Sequence, residues 1–122
     1  MISNIILGTD NLERAEKFYD PILEILGAKK SRTTERAIVW SFGEDKTGFA
    51  VSLPYDSKPV TSGNGIMVGL TVSSNEKVKA AYDKALELGG CCEGEPGERI
   101  PGVFAAYFRD LNGNKLGLFF KN

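Results

Sequence analysis

Arg109-Asp110-Leu111-Asn112-Gly113-Asn114-Lys115-Leu116-Gly117 joins an aromatic run, Val103 to Phe108, to an apolar one, Leu116 to Phe120. Asn112-Gly113 tolerates positive φ, and a dipeptide of that kind between two β-prone runs predicts a hairpin turn. Asp110 is expected to brace the turn by accepting backbone N–H bonds. Everything N-terminal to the hairpin then has to supply the rest of a sheet and whatever covers it.

The chain repeats itself at a constant offset of 63 positions. Asp10 with Glu13 and Ser73 with Glu76 are both capping-box patterns that start a helix. Tyr19-Asp20 matches Tyr82-Asp83, Leu23 matches Leu86, Ile25 matches Leu88, and Gly27 matches Gly90. In the first unit, Met1 to Gly8 predicts a strand. A helix follows, apolar at Leu12, Ala15, Phe18, Tyr19, Ile22, Leu23 and Leu26, with Gly27 at its end. Pro21 inside that helix predicts a kink or an early stop. Short β-prone runs then cover Lys29 to Thr33, Ala37 to Phe42 and, after a loop over Gly43 to Gly48, Phe49 to Leu53. Pro54 to Gly65 has no periodicity and reads as a linker. The second unit gives a strand (Ile66 to Val72), a helix (Asn75 to Leu88), a short strand near Cys91 and the hairpin. Glu93, Glu95 and Glu98 with Pro96 and Gly97 are expected to form a solvated acidic loop, or a lid. The predicted fold is α+β, one domain over residues 1–122: module one over 1–53, linker 54–65, module two 66–122, each βαβββ.

Length, charge and composition narrow the function. A chain of 122 residues, 42% hydrophobic, supports one domain with its own core. Its net charge of −1, with no basic run, argues against a nucleic-acid partner or a polybasic membrane contact. No apolar run approaches the roughly 20 residues of a membrane span, and no signal-peptide pattern opens the chain, so a cytoplasmic protein is expected. The only cysteines are the neighbours Cys91 and Cys92, which cannot staple distant segments and are expected to be reduced. There is no histidine, which removes the commonest ligand for borderline metals and the commonest acid–base group at neutral pH.

The Arg-Asp-x-x-Gly-Asn-Lys hairpin followed by a last strand, together with the duplicated βαβββ order, resembles the vicinal oxygen chelate superfamily of glyoxalases, extradiol dioxygenases and bleomycin- and fosfomycin-resistance proteins. The resemblance spans nearly the whole chain and implies a curled mixed β-sheet cup, its outer face covered by the helices. Period-2 alternation then turns Ile5, Leu7, Phe49, Val51, Ile66, Val68, Leu70, Val72, Leu116, Leu118 and Phe120 toward the helices. It leaves Asn4, Ile6, Gly8, Ala50, Ser52, Met67, Gly69, Thr71, Lys115, Gly117 and Phe119 toward the cup. The family's metal ligands on the first, fifth and last strands, commonly His, His and Glu, fall on Asn4, Met67 and Gly117. A fourth position falls on Ala50 or Ser52. A divalent ion with open positions needs about three imidazole or carboxylate ligands, so no metal or other cofactor is expected.

The candidate lining of the cup is Asn4, Arg32, Trp40, Ser52, Tyr55, Met67, Phe104, Tyr107, Gly117 and Phe119, whose rings and polar tips suit a small organic molecule. Arg32 and Arg99 could pair with an anionic ligand, but solvated surface arginines are the favoured reading. The expected function is therefore binding of a small organic molecule in a metal-free cup or dimer groove, as in the bleomycin-resistance branch, with enzymatic turnover left open. The alternative is a glyoxalase- or dioxygenase-related lyase or oxidoreductase with an atypical or absent metal site. A third reading collapses the cup around Met67, Ile6 and Phe119 and leaves an interaction protein. The resemblance also implies a homodimer, side by side or with units exchanged.

Overall fold

A computed structural model describes residues Met1–Asn122. Ten elements follow in chain order: β1 (Asn4–Gly8), α1 (Leu12–Ile25), β2 (Lys29–Thr33), β3 (Ala37–Phe42), β4 (Asp45–Ser52), β5 (Val68–Thr71), α2 (Asn75–Glu87), β6 (Cys91–Ile100), β7 (Val103–Arg109) and β8 (Lys115–Lys121). They form two four-stranded sheets with the same order, β1-β4-β3-β2 and β5-β8-β7-β6. In each sheet the first strand pairs in parallel with the last and the other two ladders are antiparallel. No ladder joins β1 to β5, so the sheets stay open and separate.

The duplication holds down to the caps. The N-caps are Asn11, accepting from the Arg14 amide, and Ser74, accepting from the Lys77 amide. Each lies one residue later than its capping-box pattern suggested, and the 63-residue spacing survives the shift. α1 runs through Pro21 without a break. Phe18 and Tyr19 before it and Ile22 and Leu23 after it are all buried, so packing against the sheet holds both halves in line despite the lost hydrogen bond.

Three strand boundaries depart from expectation. β4 starts at Asp45, because β3 and β4 close directly through a tight turn at Gly43. β5 starts at Val68, leaving Ile66 and Met67 ahead of it. The acidic stretch expected to be a loop is strand β6, which tolerates Pro96 and three register shifts against β7 because it is an edge strand.

One hydrophobic cluster of 22 buried residues spans both modules. The sheets contribute their helix-facing residues, among them Leu7, Ile38, Trp40, Phe49, Val51, Val68, Leu70, Phe108, Leu116 and Leu118. α1 and α2 also pack on each other. The modules are locked through the turn after β7: Asp110 Oδ1 accepts from the Asn112 and Asn114 amides, and Oδ2 accepts from Asn114 Nδ2 and, at 2.6 Å, from the Tyr19 hydroxyl of α1. Asn114 Nδ2 also donates to the Gly8 carbonyl, and the Thr9 hydroxyl donates to Asn112 Oδ1 at 2.7 Å. The turn bracing expected of Asp110 is present, and it doubles as the joint between the modules.

Candidate functional site

Because the core takes one face of each sheet, the opposite faces are the surfaces on which chemistry could be placed. Register fixes their composition. On the first sheet, partnered residues cross in the rows Asn4–Gly48–Ser41, Ile6–Ala50–Val39–Arg32 and Gly8–Ser52–Ala37. On the second they cross in the rows Gly69–Gly117–Tyr107–Gly94 and Thr71–Phe119–Ala105–Gly97, with Lys115 beside Arg109 at one end.

Most of the expected lining lies on these faces, with three corrections. Trp40 is in the core: it partners Phe49, is 1% exposed, and donates from Nε1 to Asp20 at 2.7 Å. Phe104 partners Phe120 on the helix side, packs against the core, and carries the Lys79 ammonium 5.6 Å from its centroid. Tyr55 is 98% exposed in the linker and lines nothing. Both misplaced rings were traceable in principle. If Phe49 and Phe120 face the helices, the residues opposite them across an antiparallel hairpin must do so too. Of the others, Asn4, Arg32 and Ser52 lie on the open face of the first sheet, and Tyr107, Gly117 and Phe119 on that of the second. Met67 precedes β5 and is 43% exposed.

The three positions that the family resemblance assigns to metal ligands carry neither imidazole nor carboxylate. Asn4 offers an amide, Met67 a thioether and Gly117 nothing. The space a side chain at Gly117 would enter is taken, since a Cβ there would stand 2.6 Å from Phe119 Cε2 and 3.2 Å from Tyr107 Cδ1. Nowhere do three or more His, Cys, Asp or Glu side chains gather as a ligand group. The residues present therefore do not fit a catalytic divalent ion.

In place of a ligand set, the second sheet carries rings and cations. Tyr107 and Phe119 meet edge to face, centroids 5.7 Å apart. The Arg99 guanidinium lies 5.3 Å and the Lys115 ammonium 5.8 Å from the Tyr107 centroid. Arg109 pairs with Glu93 and also donates to the Gly113 carbonyl. The hydrogen bond that Glu93 accepts from Arg109, with the charges of Arg109 and Lys115, holds the Glu93 carboxyl below its ordinary value. Sequence reasoning turned Lys115 toward this face but did not link it with Arg99 around Tyr107. A cavity of about 490 Å³ lies beside the end of α1, lined by Asp20, Pro21, Glu24, Lys29 and Lys30.

The family model "Glyoxalase/Bleomycin resistance protein/Dioxygenase superfamily" matches residues 2–118. No curated protein matches the chain. Among solved structures, a glyoxalase/bleomycin resistance protein from Albidiferax ferrireducens T118 is 29% identical, covering 100% of this chain and 99% of its own, with a TM-score of 0.92. A hypothetical protein from S. aureus is 26% identical, covering 98% and 94%, with a TM-score of 0.73. A glyoxalase-related enzyme from Fulvimarina pelagi, 19% identical over 99% and 88%, shares the fold with a TM-score of 0.79.

Proposed function

Because this chain belongs to the glyoxalase/bleomycin resistance protein/dioxygenase superfamily, we propose that it is a metal-independent binder of a small organic molecule, held against the open sheet faces or in the groove between two copies. The observation that carries this reading is the Phe119 ring lying where a last-strand ligand at Gly117 would project. A carboxylate could not be placed there without moving two rings, and an amide and a thioether at Asn4 and Met67 do not compensate. What the open faces retain is suited to organic ligands: half-buried rings, glycine-floored strands and free cations.

A homodimer is part of the proposal. Ile6 on the open face of β1 is 60% exposed, and Ile66 and Met67, which lead into β5, are 60% and 43% exposed. A second copy burying more than about 1,200 Å² would cover them. No helix is long and apolar enough to cross a membrane. The free, exposed thiols of Cys91 and Cys92 suit a reducing, cytoplasmic setting.

The test is metal analysis of protein purified without chelator, with thermal melts in Ni²⁺, Zn²⁺, Mn²⁺ and Fe²⁺. The expected result is substoichiometric metal and an unchanged Tm, since a ligand of the folded state at 100 times its Kd would add about 2.7 kcal/mol. Stoichiometric metal that raises Tm when restored to stripped protein would overturn the reading.

A further inference from the structure

We propose that the open face of the second sheet binds an organic anion with a flat, unsaturated body, its charged group at Arg99 and Lys115 and its body against Tyr107 and Phe119. This deepens the metal-free binding reading and rests on it.

The floor is made by sequence. Three of the four residues in the row Gly69–Gly117–Tyr107–Gly94 are glycine. The Phe119 ring lies over Gly69 and Gly117, where added Cβ atoms would come within 3.0 and 2.6 Å of Cε2. The Tyr107 ring lies against Gly94, where a Cβ would come within 2.7 Å of Cδ2. Without side chains beneath them, the two rings come close to the sheet, nearly perpendicular to each other at 80°, and both remain partly exposed. A flat, unsaturated body that stacks on one of these rings meets the other edge to face.

The charge around these rings is unbalanced. Arg109 is engaged by Glu93, but neither Arg99 nor Lys115 belongs to any ion pair of the molecule. Arg99 donates to the Glu95 backbone carbonyl, which leaves its charge uncompensated. Glu93 is the carboxylate that feels Lys115, and it is already committed to Arg109. Two cations held around one ring create a positive field that a carboxylate or similar anion would neutralise with charge-assisted hydrogen bonds. Beside Phe119 the face continues into a cavity of about 370 Å³ lined by Gly69, Thr71, Ile100, Val103, Phe119 and Lys121. That lies at the small end of ligand-site volumes. Ile100, 62% exposed, stands in its wall as an apolar contact for the ligand body.

The test titrates the full-length protein calorimetrically, in EDTA and at low salt, with 2-naphthoate, the neutral naphthalene-2-carboxamide and acetate. Naphthoate should bind, the carboxamide at least about five-fold more weakly, and acetate not measurably. Arg99→Gln and Lys115→Gln should each weaken naphthoate by about five-fold or more and leave the carboxamide unchanged. Lys46→Gln, in the other module, should change nothing. Equal affinity for naphthoate and carboxamide, insensitivity to R99Q and K115Q, or no naphthoate binding either in EDTA or with divalent metal supplied would overturn the anion site and leave metal independence standing. Naphthoate binding that vanishes in EDTA and returns with a divalent metal would instead overturn the metal-free reading.

Discussion

Tyr19 and Asp110 are 91 residues apart in the chain, yet a buried hydrogen bond between them helps join the two modules. Burial, and then the neighbouring carboxylate, hold the Tyr19 phenol well above its usual pKa. The sign of the linkage follows. Below about pH 10 the phenol is protonated folded or unfolded; above it the unfolded chain sheds the proton first, so the folded state binds more protons and stability falls as pH rises. Tyr19→Phe should lower stability by about 1–3 kcal/mol at neutral pH by leaving Asp110 short of a donor. Its stability should also decline less steeply than the wild type's above pH 10. Urea melts from pH 7 to 11 check both. Tyr82, raised by Cys92 beside it and by burial, is present in both proteins and cancels in the comparison. Gly117 gives a second prediction at this scale. Gly117→Ala should cost about 1–2 kcal/mol because the Phe119 ring must move, and less in a Phe119→Ala background. Additive losses in that cycle would show that the ring does not occupy the space above Gly117.

Among the elements, α1 and β3 show how a local rule yields to packing. Pro21 weakens the middle of α1, but the helix is tied to the first sheet just before it, and buried Ile22 and Leu23 hold the turn after it. Trp40 of β3 donates to Asp20, and Lys30 of β2 pairs with Glu16 and Asp20. The lysine pairs are partly exposed and contribute little, so the indole carries most of the tie. Trp40→Phe, which loses the bond and part of a buried ring, should lower stability by about 2 kcal/mol, measured by circular dichroism melts. Ala37–Phe42 is apolar on both faces, which is why alternation alone did not show where Trp40 points. In β2 and β6 the register shifts between Lys30 and Arg32 and after Cys92 break the period of two. Faces there could not be counted from the sequence.

At the scale of the whole molecule, the two modules share one core and should unfold as one unit. Trp40, the only tryptophan, reports on module one. Leu118→Ala in module two should nevertheless lower the Trp40 fluorescence midpoint, by about 2–5 kcal/mol, in step with far-UV circular dichroism. Separate transitions from the two probes would show that the modules are independent.

The hairpin around Asn112-Gly113, the 63-residue duplication and the helix-facing alternation of Phe49 with Val51 and of Leu116 with Leu118 were determined by sequence. Turn chemistry and hydrophobic period are local properties that the residues carry with them. That Asn4, Met67 and Gly117 carry no imidazole or carboxylate was legible directly, since side-chain chemistry is read from the residue itself. Tertiary structure alone decided that Phe119 folds over Gly117, that Arg99 from β6 and Lys115 from β8 meet at Tyr107, and that Tyr19 reaches Asp110. Those contacts depend on side-chain rotamers and on the approach of strands distant in the chain, which no local pattern encodes.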